Sequence, residues 1–337
     1  MKKLVSLRLV LALGLSLGLA LPAHAEPLKV VASFSILGDM VRNVAGSNAD
    51  VTVLVGPDGD AHSFEPGPAD ASALADADLL VMNGLGFEPW LIRLAAASGT
   101  KAKYVTASFG ISPRHLTEEE KRAHDAAHED HAHDDHDDHE DRDHTHDAKG
   151  HDADGYPEAA QDFDPHAWQN IRNGIVYVQN IADALAEKDP DNALVYRANA
   201  ESYITELKKL DGWVRQELAK IPQEKRKVIT THDAFGYFGD AYGIQFISPL
   251  GIGNTAEPGA EALARLIDQI RRDRIRALFI ENMSDPRMME TIARETGAED
   301  GGTLYSDALS KPGGPAPTYA AMFRHNVPAL IAAMQKN

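Results

Sequence analysis

The chain of 337 residues contains no cysteine. A disulfide framework and a thiolate-held metal are both excluded, so any metal must be bound through His, Asp or Glu. Positive charge is also scarce, with 33 Lys and Arg against 51 Asp and Glu, a formal net charge of −18. That balance argues against nucleic acid as a partner and is compatible with attracting cations. Beyond Leu21 no stretch is long and apolar enough to span a bilayer.

What is present begins with a basic and then apolar start. Met1, Lys2 and Lys3 precede the apolar run from Leu4 to Leu21, and Ala23-His24-Ala25 has the small-x-small form of a signal-peptidase site. The expectation is a signal peptide over 1–25, cleavage before Glu26 and export to the periplasm. About 310 residues remain, enough for two core-bearing units.

From Leu28 onward, short β-branched runs alternate with amphipathic stretches, the pattern of parallel sheets covered by helices. Strands are expected at 28–33, 51–55, 78–83 and 103–106, with helices near 35–46, 68–76 and 87–98. A second series puts strands near 226–231, 244–248, 276–281 and 302–305, with helices near 258–273, 285–296 and 317–334. The fold class is therefore α/β, with two similar lobes over 26–189 and 221–337. In the stretch 190–220, Leu194, Tyr203, Leu207, Leu210, Trp213, Val214 and Leu218 recur at helical spacing. It is expected to be one long stiff helix joining the lobes, with Pro190 at its start and Pro222 closing its end.

One segment differs from everything else. Residues 118–152 hold nine of the fifteen histidines, at 124, 128, 131, 133, 136, 139, 144, 146 and 151, together with fifteen acidic residues. With almost no large apolar side chains it cannot offset its ordering entropy, and the expectation is a mobile loop binding divalent metal weakly at several sites. Outside it and the leader, five histidines remain. His62 follows the strand at 51–55 in Gly-Pro-Asp-Gly-Asp-Ala-His, His166 lies in Asp164-Pro165-His166-Ala167-Trp168 just before a helical pattern starting near Asn170, and His232 follows Thr231. Asp307 follows the strand ending at Tyr305. Ligands gather at the carboxyl ends of strands in open α/β sheets, so these positions can converge. Three imidazoles and one carboxylate suit a four-coordinate Zn²⁺.

These residues carry a resemblance. Gly-x-Asp-x-His-x-Phe-Glu-Pro at 56–66, from which this chain differs by the insertion Gly59-Asp60-Ala61, Asp-Pro-His-x-Trp at 164–168, His-Asp-Ala-Phe-Gly-Tyr-Phe at 232–238 and the Ser306-Asp307 turn together resemble the periplasmic metal-binding components of zinc and manganese ABC importers. The likeness covers essentially the whole mature chain. It implies His62, His166, His232 and Asp307 as metal ligands. Manganese and iron members typically place a carboxylate where this chain has His232, which implies Zn²⁺ as the transported ion. It also implies an ABC permease and ATPase as partners, with a periplasmic zinc chaperone as in the most similar zinc carriers, and a protein that acts as a monomer and not as an enzyme.

Some positions stay open. Glu281, at the end of its strand, either hydrogen-bonds an imidazole or is a plain strand-end acid. Asp58 and Asp60 are expected to support the site at most, Phe64, Trp168 and Phe235 to pack the cleft between lobes, and His115 and His325 to take no part. Three other functions compete: a secreted zinc hydrolase, a structural surface protein, and a carrier of manganese, copper or nickel. The hydrolase lacks a His-Glu-x-x-His motif and an open coordination position. Copper is favoured over zinc at nitrogen and oxygen sites by intrinsic affinity, so donor type alone does not exclude it.

Overall fold

The β-branched runs form two sheets of one design. A computed structural model describes residues 26–117, 120–121, 162–253 and 258–337. In it β1 (Leu28–Phe34), β2 (Ala49–Val55), β3 (Leu79–Met82) and β4 (Lys103–Thr106) lie in the order β2-β1-β3-β4. The second sheet repeats that order as β6-β5-β7-β8, with β5 (Lys227–Ile229), β6 (Gln245–Ile247), β7 (Ala277–Glu281) and β8 (Glu299–Leu304). Every neighbouring pair is parallel. The expected signal peptide and the His-rich segment, apart from Glu120 and Lys121, fall outside the described residues.

Position in the sheet explains the strand sequences. β1 is paired on both sides, Val31 with Thr52 of β2 and with Leu80 of β3, and Val30 to Phe34 are all buried. The edge strand β2 instead alternates, exposing Asp50 and Thr52 between half-buried Val51 and Val53. Helix α1 (Ser35–Ala45) starts directly after β1 and buries Ile36, Leu37, Met40, Val41 and Val44 at helical spacing. Two short helices follow, α2 (Pro68–Ala75) and α3 (Pro89–Ser98). Each has proline in its first turn, where the missing N–H costs nothing.

The expected long helix over 190–220 is present as α5 (Ala193–Leu218), entered through a 3₁₀ turn at Pro190–Asn192. It packs side by side with the helix before it, α4 (Ile171–Lys188). The break falls at Asp189-Pro190, because a residue before proline is pushed out of the helical region; Asp189 has φ −130° and ψ 80°. Its carboxylate then accepts from the Tyr196 hydroxyl (2.6 Å) and from Asn192 Nδ2 (2.7 Å), closing the turn. At 26 residues α5 is about 39 Å long. It lies against α1 and α4 on one side and against α6 (Gly236–Tyr242) and α9 (Tyr319–Met334) on the other.

One apolar cluster runs from Val30 of β1 through Trp168, Tyr177 and Leu207 to Met334 of α9, so the two sheets share a core. A smaller one, with Ile229, Leu278 and Met289, lies under α7 (Ala260–Asp273) and α8 (Arg287–Thr296). In each sheet the strand order reverses beside its first strand. The carboxyl ends of β1, β3, β5 and β7 are therefore where a crevice forms.

Candidate metal centre

All four residues singled out in the sequence meet at that crevice. His62 arrives on the loop after β2, and its backbone N–H donates to Asp60 Oδ1 (2.9 Å), an Asx turn that aims the ring inward. His166 stands just before a short 3₁₀ turn, Ala167–Gln169, that leads into α4. His232 follows β5, and Asp307 follows β8. Asn326 of α9 grips both backbone groups of Tyr305 (3.0 and 2.7 Å) and so fixes the chain just before Asp307.

The geometry suits one small cation. His62 Nε2 is 3.2 Å from His166 Nε2, and Asp307 Oδ2 lies 3.0 Å from His232 Nε2, 3.3 Å from His62 Nε2 and 3.7 Å from His166 Nε2. One ligand atom from each lies within 4.8 Å of all the others. A tetrahedron with metal–ligand bonds of 2.0–2.2 Å has edges of about 3.3–3.6 Å, so a single ion fits among these atoms without large movement. Asp307 Oδ1 is buried and has no hydrogen-bond partner. A buried carboxylate oxygen left so is costly unless a cation or water takes it up.

The far nitrogens of two rings are held by acids. His166 Nδ1 lies 2.8 Å from Asp164 Oδ1, which also accepts from the His166 backbone N–H (2.9 Å). His232 Nδ1 is 2.7 Å from Glu281 Oε2, a close ionic contact without hydrogen-bond alignment. Glu281 Oε1 in turn accepts from the backbone N–H groups of Thr231 (3.0 Å) and His232 (3.1 Å). These contacts favour Nδ1–H tautomers and leave Nε2 of each ring pointing into the cluster. Glu281 therefore sits against an imidazole; it is more than a strand-end acid.

Charge and burial work in opposite directions here. Burial opposes protonation of His166, but the carboxylates of Asp307 and Asp164 outweigh it and lift the imidazole to about 9. His232 is likewise held well above its ordinary value against the cost of burial, by Glu281 and Asp307. His62 has no second carboxylate, and burial pushes it down. Burial would raise Asp307, yet the two cationic rings hold it well below the carboxylate range. Without metal, protons serve as the positive charge that the site is built around.

The remaining expectations divide. His115 packs at a tilt against Phe163 (4.6 Å), and His325 Nε2 pairs with the Thr303 carbonyl (2.9 Å), neither in the four-residue cluster. Trp168 lies between the lobes as expected, donating from Nε1 to the Ser306 carbonyl (2.9 Å). Phe64 instead packs on Trp90 (4.9 Å) and Phe235 stacks on Phe246 (5.0 Å), each within its own lobe. Asp58 touches no imidazole; its N–H reaches the Leu309 carbonyl (2.9 Å) and its Oδ1 accepts from Asn282 Nδ2 (3.0 Å), tying the His62 loop to the other lobe. Three contributors were missed. Phe87 sets its edge against His62 (4.7 Å) and packs on Trp168 (4.7 Å), with nothing in its local sequence to mark it. Asp164 had a signal, the acid two residues before a histidine. Arg114, which contacts Asp164, had none.

A family model described as zinc-uptake complex component A, periplasmic (ZnuA), matches residues 30–333. The chain belongs to this family. ZnuA-family proteins are the metal-binding components of ABC importers and work outside the cytoplasm, and this member is accordingly not an enzyme. The manganese-binding lipoprotein MntA of Halalkalibacterium halodurans is 32% identical over 311 residues, covering 92% of this chain and 90% of that protein. Among solved structures, the periplasmic zinc-binding protein TroA of Treponema pallidum aligns with a TM-score of 0.75 at 26% identity, covering 92% of this chain and 99% of that one. The manganese-bound periplasmic metal-binding protein of Candidatus Liberibacter asiaticus aligns with a TM-score of 0.72 at 28% identity, covering 90% and 98%. The two-lobed α/β fold of the ZnuA family is thus this chain's fold.

Proposed function

We propose that this protein captures Zn²⁺ between its two lobes, with His62, His166, His232 and Asp307 as the four ligands, and delivers it to the permease and ATPase of an importer. The observation that carries the reading is the close cluster of three imidazole nitrogens and one carboxylate oxygen, spaced like the edges of a tetrahedron. Imidazole suits zinc, whereas manganese favours carboxylate, carbonyl and water oxygens in six-coordinate sites. With four protein donors the coordination sphere is closed, which serves retention and transfer and leaves no position for catalytic water.

Manganese is the second reading, and one feature favours it beyond the names of relatives. The free Asp307 Oδ1 could make that carboxylate bidentate and raise the coordination number. The His-rich segment is proposed as a set of weaker metal sites that collects the ion. A competition titration separates these readings. A chain lacking residues 122–152, which keeps the Glu120 and Lys121 contacts, should bind one equivalent of zinc tightly and prefer it to manganese by more than about a hundredfold. The full chain should add several weaker zinc equivalents. Manganese displacing zinc at comparable concentrations would overturn the zinc assignment, and loss of the tight site with the segment would place ligands inside it.

A further inference from the structure

Arg114 connects the metal site to both lobes although it touches no ligand. Its guanidinium, only 17% exposed, reaches Asp164 Oδ2 through Nη1 (3.4 Å), the acid whose other oxygen holds His166 Nδ1. Nη2 and Nη1 grip Glu120 (2.8 and 3.2 Å), and Nε reaches Asp240 Oδ2 (3.2 Å) on helix α6 of the other lobe. The Arg114 backbone adds two bonds. Its N–H donates to the Tyr237 hydroxyl (2.8 Å), also on α6, and its carbonyl accepts from the Asp164 N–H (2.9 Å).

Helix α6 is the continuation of the chain that carries His232, four residues before its first residue, Gly236. That glycine faces the same knot. A Cβ there would meet Asp164 Oδ2 at 2.5 Å and the Arg114 guanidinium carbon at 2.8 Å, so the helix start is pressed onto the Arg114–Asp164 pair with no room for a side chain. His166 from one lobe and His232 from the other are thereby tied through a path of named contacts, His166–Asp164–Arg114–Asp240 and Tyr237, on the side remote from Asp307.

From this arrangement we propose that Arg114 is a positioning residue, which locks Asp164 and hence the His166 ring in register with the lobe that presents His232, and so sets how tightly the small cation is held. The inference rests on the reading of the four residues as metal ligands. Residues of this kind orient a ligand without contacting the metal, and their loss costs about 10–100-fold in affinity.

The test compares Arg114→Gln with the wild type and with Arg276→Gln, which breaks a surface pair with Glu299 (2.6 Å) far from the site. Zinc affinity is read by chelator competition, zinc loss by stopped flow, and coordination geometry by the visible d–d bands of the Co²⁺-loaded protein. Arg114→Gln should weaken zinc about 10–100-fold, speed its loss, and change the intensity of the Co²⁺ bands, while Arg276→Gln changes none of them. A variant that merely melts earlier, with wild-type zinc affinity and Co²⁺ spectrum, would overturn the proposal. If Arg114→Gln does not fold, Asp240→Asn decides. It cuts only the exposed arm of the knot, and it should speed zinc loss; an unchanged rate overturns the proposal. If the wild type holds no tight zinc, the reading of the site falls and this inference with it. If the wild type binds and the variants match it, only the inference falls.

Discussion

Replacing His166 by alanine should weaken zinc binding by at least about a hundredfold, whereas His115→Ala should leave it unchanged. Both are histidines outside the His-rich segment, and the sequence alone separates them only by motif. The structure separates them by contact. His166 points Nε2 at His62 and Asp307, while His115 lies on Phe163. Removing one of four donors opens a tetrahedral site to water and removes one of the bonds that compete with hydration of the ion. Asp307→Asn should act as strongly, since it deletes the one anionic ligand within reach of all three imidazoles. Calorimetric titration with zinc on chains lacking 122–152 gives the affinities, and circular dichroism of the metal-free variants shows that the fold survives. Equal affinities for His166→Ala and His115→Ala would refute the assignment of ligands.

Zinc should raise the melting temperature by an amount that keeps growing from pH 5 to pH 8. The sign follows from the imidazoles. An unfolded histidine titrates near about 6.5, while in the folded, metal-free protein His166 is held at about 9 and His232 well above its ordinary value. The cationic rings thus stabilise the metal-free fold fully below about pH 6.5, and that contribution is lost as pH rises through about 9. Zinc needs the same rings neutral, so it must displace protons throughout this window, and its apparent affinity rises with pH. With zinc in large excess over its Kd the gain is a few kcal/mol, or about 10 °C at pH 8 for a protein of this size, shrinking to a few degrees at pH 5. Histidines with ordinary values would bring the gain to a plateau by about pH 7.5. A plateau there would contradict the raised imidazoles, and a constant gain from pH 5 to pH 8 would contradict histidine ligation altogether.

How far the site could be read in advance depended on the kind of signal each residue carries. His62, His166, His232 and Asp307 stand next to strand ends or a helix start, and the topology of parallel sheets brings such ends together, so distant positions could be joined on paper. Strands β1 and β3 were visible because burial on both faces demands continuous β-branched and apolar runs. Helix α6 was not, being seven residues long with glycine at 236 and 239 and too short to show a period. Helix α5 was legible from apolar residues at helical spacing between Pro190 and Pro222, and the constraint that proline places on Asp189 makes the corner before it. Arg114 and Phe87 depend on side chains meeting across the molecule, and no local pattern encodes that, whereas the partnership of Asp164 with His166 spans two residues and had its signal in the Asp-Pro-His motif. The first two residues of the His-rich stretch that the structure describes belong to the fold: Glu120 pairs with Arg114 and Lys121 with Asp162 (3.0 Å).

Of the three rings and one carboxylate in the cluster, His62 alone keeps contact with solvent, at 11%, while the other three are sealed at 0%. An approaching acceptor therefore has one face by which to enter, and one imidazole to replace first. With these four residues as ligands, an incoming donor would bond as His62 let go, and the ion would change hands by substitution without standing bare or fully hydrated. The rate of exchange should rise with the concentration of the acceptor instead of levelling at a spontaneous escape rate, and an acceptor offering a single nitrogen or carboxylate at its tip would extract the ion faster than a bulkier chelator of equal affinity.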